Sequence, residues 1–215
     1  MKHTITRRFF ITFCFSLLIA TGLFAQGKIK VACVGNSITF GYGLKPGEAY
    51  PTILQQLLGD KYEVSNFGIS ARTLLRKGDK PYWNEVKYKE VLALNPDIVI
   101  IKLGTNDTKP QNWQYKDDFV KDYEDFIESF KQLPSHPKIY VCYPFPIFPN
   151  KFNIRDSIVS NEMLPDLKII TAKTQVNTID LYHAFAGQGN LVFDGVHPTK
   201  EGAALLAQKI YEIIK

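Results

Sequence analysis

Cysteine and histidine are scarce in this sequence, and their scarcity limits the chemistry that it can carry. Its 215 residues include three cysteines and four histidines. These form neither a Cys-x-x-Cys pair nor a His/Cys cluster with the spacing of zinc ligands, so the sequence does not support a metal site. It also lacks internal repeats and low-complexity linkers, which is typical of a single domain.

Net charge is also low once the N-terminal segment is set aside. The first 25 residues hold three of the 26 basic residues and none of the 21 acidic ones, which leaves the rest of the chain at +2. No basic stripe with interleaved aromatic residues appears in that remainder. The sequence therefore gives no reason to expect a nucleic-acid partner.

The first 25 residues have the pattern of a secretory signal peptide. Basic residues come first, and an almost wholly apolar run follows from Phe9 to Phe24. We predict cleavage after Ala25, which leaves residues 26–215 as one secreted or periplasmic domain without stable membrane insertion. The alternative is an uncleaved N-terminal anchor, although the apolar run is short for a spanning helix of about 20 residues.

Two cysteines remain after this segment, and both lie in apolar runs typical of strands. Cys33 lies in "KVACV" and Cys142 in "KIYVCY". An exported protein can form disulfides. Cysteines on two strands of a parallel sheet meet, however, only if the strands are neighbours and the side chains face each other. We therefore predict two free, buried thiols.

Short apolar runs alternate with amphipathic segments along the chain, and this alternation predicts the fold. The runs that predict strands are Ile29–Val34, Tyr62–Phe67, Asp97–Gly104, Lys138–Tyr143 and Val176–Leu181. Helical patterns cover Tyr50–Gly59, Trp83–Leu94, Tyr115–Leu133, a segment within Ile154–Thr174 that is bent around Pro165, and Thr199–Ile214. The order predicts an α/β domain with a parallel sheet covered on both faces. The run at residues 97–104 is the most apolar, so it predicts a central strand.

Polar residues and glycines follow several of the predicted strands. They are Ser37 in "GNS", Gly68 in "NFGIS", Asn106 in "GTND", and the pair Asp194 and His197 in "DGVH" ahead of the last helix. Ligands of open α/β sheets bind at the carboxyl ends of the strands. We therefore expect these five residues to converge at one edge of the sheet.

This set of residue types suits nucleophilic catalysis at an ester. Ser37 needs a base to take its proton, and the His197 imidazole can act as that base near neutral pH. Asp194 can accept a hydrogen bond from the other ring nitrogen and fix the tautomer. Candidate donors to the developing oxyanion are the backbone N–H groups of Ser37 and Gly68 and the side-chain amide of Asn106.

The four motifs together resemble those of the SGNH, or GDSL-like, hydrolase family. The residues that match its serine, glycine, asparagine and histidine are Ser37, Gly68, Asn106 and His197. The resemblance implies a flavodoxin-like three-layer α/β/α sandwich, acyl-ester hydrolysis and no cofactor. Asn36 stands where many members have aspartate, which resembles carbohydrate-esterase members such as sialate O-acetylesterases and acetylxylan esterases.

From this resemblance we expect an exported acetylesterase that removes O-acetyl groups from carbohydrate, with a small-molecule or glycan ester as substrate. Arg72 is a candidate for holding a sugar carboxylate. Trp83 is a candidate for stacking on a sugar, or equally for packing at the start of a helix. Two alternatives stay open: a lysophospholipase or thioesterase of the same family, and a non-catalytic carbohydrate-binding module.

Overall fold

The computed structural model describes residues 27–215, and the predicted signal peptide lies outside them. The strands are β1 (Ile29–Gly35), β2 (Tyr62–Gly68), β3 (Ile98–Lys102), β4 (Lys138–Tyr143) and β5 (Asn177–Asp180). They form one parallel sheet in the order β2-β1-β3-β4-β5. The predicted five-stranded parallel sheet is confirmed, and its most apolar strand, β3, lies at its centre.

Helices connect the strands and cover both faces of the sheet. In chain order they are α1 (Ser37–Phe40), α2 (Tyr50–Leu58), α3 (Val86–Leu94), α4 (Pro110–Trp113), α5 (Phe119–Lys131), α6 (Asp156–Ile158), α7 (Leu164–Thr174), α8 (Leu181–Ala184) and α9 (Lys200–Ile214). Short 3₁₀ turns precede α3 and α5, at Tyr82–Asn84 and Lys116–Asp118. These turns explain why the two predicted helices were too long at their N-terminal ends.

Neighbouring residues of each strand face opposite sides of the sheet, so each side builds its own core. Val34 of β1 belongs to the core that includes Phe126 of α5. Cys33, its neighbour, belongs to the core that includes Leu206 of α9. Because both faces are covered, the strands read as continuous apolar runs. The result is a three-layer α/β/α sandwich.

The helical segment around Pro165 differs from the prediction. The sequence predicts a bend at the proline, but the irregular stretch is a π-helical turn at Val159–Met163, and α7 begins at Leu164. Pro165 therefore lies in the first turn of α7, where its missing N–H costs no intrahelical hydrogen bond.

The two cysteines are buried and unpaired, as predicted. Cys33 lies on β1 and Cys142 on β4, and β3 runs between these strands. Burial raises the pKa of Cys142 to about 12. Both side chains therefore behave as small apolar residues of the core.

The strand order reverses between β1 and β3, and this reversal positions the site. In open parallel sheets, the loops that leave the strands at such a reversal diverge and open a crevice at the carboxyl edge. Ser37 follows β1, and the turn at Thr105–Thr108 follows β3. Within residues 27–215 no helix is long and apolar enough to cross a membrane.

Candidate active site

Ser37 is the first residue of α1, directly above the end of β1. Its neighbour Asn36 caps this helix, since the Asn36 side-chain oxygen accepts a hydrogen bond from the Ile38 N–H at 3.1 Å. A Cβ atom on Gly35 would lie 2.1 Å from the Thr39 hydroxyl oxygen. Glycine therefore lets α1 fold back closely onto β1, and this fixes the position of the serine.

His197 connects Ser37 to Asp194 through hydrogen bonds. Its Nε2 atom lies 2.8 Å from Ser37 Oγ, and its Nδ1 atom lies 2.7 Å from Asp194 Oδ2. The other oxygen of Asp194 accepts hydrogen bonds from the N–H groups of Val196 and His197, at 3.0 and 2.8 Å. The structure thus brings the three predicted residues together with the aspartate fixed by its own loop.

The electrostatic surroundings favour the neutral form of His197. Burial lowers the pKa of His197, the contacts with Asp194 raise it, and Lys102 and Lys109 lower it, so that it lies below its usual value of 6.5. Burial raises the pKa of Asp194, but the hydrogen bonds from His197 and Val196 outweigh this effect and leave it below its usual value. At neutral pH the pair is therefore an imidazole beside a carboxylate.

Gly68 does not take the predicted place as a donor to the oxyanion. Its N–H already donates to the Asn66 side-chain oxygen at 2.9 Å, and Gly68 does not line the cavity around Ser37. A Cβ atom there would lie 2.1 Å from the backbone nitrogen of Phe40. In this structure the Gly68 N–H is therefore not free for the oxyanion, and the glycine allows the close approach of α1 to the end of β2.

Ala71 occupies a position that no sequence motif marks as functional. It lines the cavity with Ser37 and His197, and its φ of +67° is in the left-handed region that favours glycine. Within residues 27–215 its N–H donates no hydrogen bond to the protein. Ala71 therefore offers the free backbone N–H that was expected from Gly68.

Asn106 and its neighbour Asp107 hold the loop that carries Ala71. The Asn106 side-chain amide lines the cavity and donates to the Arg72 carbonyl at 3.1 Å. The Asp107 carboxylate accepts from the N–H groups of Leu74 and Leu75, at 3.1 and 2.7 Å. One N–H of the Asn106 side-chain amide makes the hydrogen bond to the Arg72 carbonyl, and its other N–H remains available to a ligand.

The cavity above Ser37 has a volume of about 150 Å³, which suits a small ligand group. Its walls combine the polar residues named above with apolar ones. Besides Ser37, Ala71, Asn106 and His197, the lining residues are Tyr42, Ser70, Thr105, Lys109, Phe152, Ile154 and Val196. Among these lining residues of the described part of the chain, Lys109 is the one lysine or arginine, and no sequence motif marks it.

The two predicted substrate-binding residues lie outside this cavity. Arg72 forms an ion pair with Glu85, with 2.6 Å between Nε and Oε1, and also donates to the Ser70 carbonyl. Trp83 donates to the Leu74 carbonyl at 2.8 Å and packs beneath the Arg76 guanidinium. For Trp83 the structure supports the packing alternative. Aromatic rings do surround the site, but they belong to Tyr42, Phe152 and Phe193, which pack around the His197 ring.

Lys102, the last residue of β3, lies buried behind the site. Its exposed fraction is 1%, and its ammonium finds no hydrogen-bond acceptor within residues 27–215. The Nζ atom lies 4.6 Å from the centre of the Phe145 ring, a contact that stabilises a cation. Burial lowers the pKa of Lys102 to about 8. At neutral pH it is mainly a cation whose field acts on His197.

The described part of the chain contains no group of three or more His, Cys, Asp or Glu side chains that could hold a metal ion.

The sequence matches a family of known proteins. The model of the GDSL-like Lipase/Acylhydrolase family matches residues 33–205. An acetylxylan esterase of Xylanibacter ruminicola is 42% identical over an alignment of 210 positions, which covers 88% of this chain and 44% of that relative. The chain thus spans less than half the length of this curated relative.

Solved structures share the fold. An acetyl xylan esterase is 24% identical with a TM-score of 0.69, and the match covers 87% of this chain and 100% of that one. A carbohydrate acetylesterase family member from Sinorhizobium meliloti is 19% identical with a TM-score of 0.67, over 86% and 96% of the two chains. At these identities the likeness establishes the three-layer fold alone.

Proposed function

The chain belongs to the GDSL-like lipase/acylhydrolase family, and on this premise we propose that it is an acetylesterase that removes O-acetyl groups from carbohydrate. The name of its relative from Xylanibacter ruminicola, acetylxylan esterase, supports this class of substrate. The volume of the cavity above Ser37, about 150 Å³, is consistent with a short acyl group.

The observation that carries the proposal is the continuous set of hydrogen bonds from Asp194 through His197 to Ser37. Distances of 2.7 and 2.8 Å join the three side chains, and Ser37 and His197 both line the cavity. A serine hydroxyl is a weak nucleophile unless a base accepts its proton during attack. A neutral His197 supplies that base, and the Asp194 carboxylate stabilises the imidazolium that forms.

We infer the following course of reaction. Ser37 Oγ attacks the ester carbonyl carbon, and its proton passes to His197 Nε2. The tetrahedral intermediate collapses as His197 returns the proton to the departing sugar hydroxyl, which leaves an acetyl group on Ser37. Water then attacks the carbonyl carbon of this acetyl-enzyme while His197 takes its proton. The second tetrahedral intermediate collapses as His197 returns that proton to Ser37 Oγ, and acetate leaves.

The oxyanion that forms in each step needs donors fixed before the reaction. The N–H of Ser37 lies in the first turn of α1, where backbone N–H groups lack intrahelical acceptors. Ala71, whose N–H donates no hydrogen bond within residues 27–215, and Asn106, whose side-chain amide has a second N–H, both line this cavity. We propose these three groups as the oxyanion donors, with Ala71 in place of Gly68.

We also propose that the enzyme is exported, with residues 1–25 as its cleaved signal peptide and residues 26–215 as its hydrolase domain. The support is the basic start and the apolar run of the N-terminal sequence. N-terminal sequencing of the protein recovered from the periplasm or medium tests this. A protein that begins at Gln26 agrees with cleavage, and an intact N-terminus in the membrane fraction contradicts it.

The first test of activity is hydrolysis of 4-nitrophenyl acetate, butyrate and octanoate, with the Ser37→Ala variant measured beside the parent protein. We expect activity that is highest on acetate and lost in the variant. A preference for octanoate supports the lysophospholipase or thioesterase alternative. No Ser37-dependent turnover of any ester contradicts the catalytic account and favours the binding-module alternative.

A further inference from the structure

A second depression lies next to His197, along the loop that carries Asp194. Residues 148–151 and 192–195 line it, and its volume is about 610 Å³. We call it the outer groove. It is larger than the catalytic cavity and more open, so it has room for a part of the substrate that an acetyl group does not fill.

Asp194 and Phe193 connect the outer groove to the reacting residues. Asp194 lines the groove and is hydrogen-bonded to His197. Phe193 also lines the groove, and its ring is stacked on the His197 ring, with 6.0 Å between centres and 27° between planes. Asp194 and Phe193 therefore link the lining of the outer groove to His197, which lines the catalytic cavity.

The Phe193 ring is both held in place and accessible. A Cβ atom on Gly43 would lie 2.5 Å from Phe193 Cζ, so the ring rests directly on the Gly43 backbone. The residue is nevertheless 50% exposed. The ring therefore presents accessible apolar surface in a fixed position next to His197.

The floor of the outer groove is preformed. The Phe148 N–H donates to the Gly195 carbonyl at 2.9 Å, which joins the two lining segments. The Asn150 side chain donates to the carbonyls of Phe148 and Ile154 and accepts from the Phe152 N–H. The polar atoms of the Asn150 side chain already form hydrogen bonds within its own loop. Lys151 is therefore the exposed polar side chain of this segment that can contact a ligand.

The chemistry of these walls fits a saccharide. The faces of a pyranose ring present C–H groups that pack on an aromatic ring, while its equatorial hydroxyls point outwards to polar groups and water. A flat ring such as Phe193 with a lysine nearby serves both requirements. A long acyl chain needs a closed apolar channel, and the outer groove is open to solvent.

We propose that the outer groove is a subsite for further sugar units of a β-linked saccharide chain whose acetyl ester lies at Ser37, with Phe193 as its stacking platform. This inference rests on the proposed deacetylation of carbohydrate and adds a preference for chains over single sugars.

Binding is measured first, because it does not depend on turnover. In the Ser37→Ala background we expect calorimetry to show that xylotetraose binds at least several times more tightly than xylose. Replacing the ring by Phe193→Leu should weaken xylotetraose binding by about 3- to 10-fold, the range of one aromatic contact. Phe193→Tyr keeps the flat ring and should keep the affinity.

Kinetics then compare acetylated xylotetraose with acetylated methyl β-xyloside, in the parent protein and in Phe193→Leu. The ratio of the two kcat/KM values should fall in Phe193→Leu and stay unchanged in Tyr115→Ala. Tyr115 is a matched control, because it is exposed and lines neither cavity.

Equal affinity for xylose and xylotetraose, or a xylotetraose affinity that Phe193→Leu leaves unchanged, overturns the subsite. So does a ratio of octanoate to acetate hydrolysis that depends on Phe193, since an acyl chain then occupies the groove. If no ester is hydrolysed in a Ser37-dependent way, the proposed function fails. Length-dependent binding at Phe193 still supports the groove as a saccharide site in that case.

Discussion

His197 Nε2 lies 2.8 Å from Ser37 Oγ, although 160 residues separate them in the sequence. The serine follows the first strand, and the histidine precedes the last helix. The contact therefore exists only when the whole sheet has assembled between them. The pairing of Ser37 with a base is therefore a property of the complete fold.

Asp194→Asn should lower kcat on 4-nitrophenyl acetate by roughly 10³- to 10⁴-fold, the range seen when the aspartate of such a triad becomes an amide. The amide cannot stabilise the imidazolium, and it permits the wrong imidazole tautomer. The measurement is the steady-state rate at pH 7.5, with circular dichroism to check the fold.

The chain contains a matched control for this substitution. Asp180, the last residue of β5, and His183 of α8 form the same i,i+3 arrangement at the surface, with 2.6 Å between Oδ2 and Nδ1. Asp180→Asn should leave the rate within a factor of about two, since surface ion pairs contribute little. Equal losses in the two variants contradict a catalytic role for Asp194.

The pH dependence of kcat/KM should report the lowered pKa of His197. The base is active when neutral, so activity falls as the pH drops through this pKa, and the acid limb should lie below pH 6.5. Lys102→Met removes a cation that disfavours the imidazolium. The pKa of His197 then rises, and the acid limb should move to higher pH.

Lys168→Met, on the exposed face of α7, is the control for this shift. It also removes one positive charge, but at the surface, where solvent and salt screen it. An acid limb that stays in place in Lys102→Met, or that moves equally in both variants, argues against a direct field of Lys102 on His197.

The sequence predicted the fold and the convergence of Ser37, Asp194 and His197 because these depend on order along the chain. Strands that alternate with helices build a parallel sheet, and the carboxyl ends of its strands meet at one edge. Residues that follow those strands are therefore brought together whatever the details of packing.

Which residues line the cavity depends instead on hydrogen-bond and ion-pair partners that no sequence motif marks. The Gly68 N–H donates to the Asn66 side chain, and Arg72 is paired with Glu85, thirteen residues away. Ala71 adopts a backbone conformation that alanine seldom adopts, so composition gives no signal for it. These local contacts determine which of several nearby polar groups remains available to the ligand.

Gly68→Ala and Ala71→Gly should change stability in opposite directions. The first places a methyl group 2.1 Å from the Phe40 backbone nitrogen and should lower the free energy of unfolding by about 1–3 kcal/mol, as overpacking does. The second relieves a left-handed alanine and should raise it by up to about 1 kcal/mol. Urea denaturation measures both.

Activity separates the roles of these two positions. Ala71→Gly keeps the backbone N–H, so we expect kcat to stay within a factor of about three of the parent value. Gly68→Ala should lose activity together with stability, because it displaces α1 and Ser37 with it. A stable Gly68→Ala protein with reduced kcat alone would point back to Gly68 as the oxyanion donor.

Asn106→Ala tests the side-chain donor of the proposed oxyanion site. Removing one such donor should lower kcat by about 10²- to 10³-fold with little change in KM, since the bond strengthens only as the oxyanion forms.

The same substitution also removes the hydrogen bond to the Arg72 carbonyl. Asn112→Ala separates the two effects, because the Asn112 side chain donates to the Asn106 carbonyl and lines no part of the cavity. It loosens the same loop without removing a donor, so its loss of kcat should be much smaller. If Asn112→Ala costs as much as Asn106→Ala, the asparagine acts through the loop and the oxyanion is bound by backbone N–H groups alone.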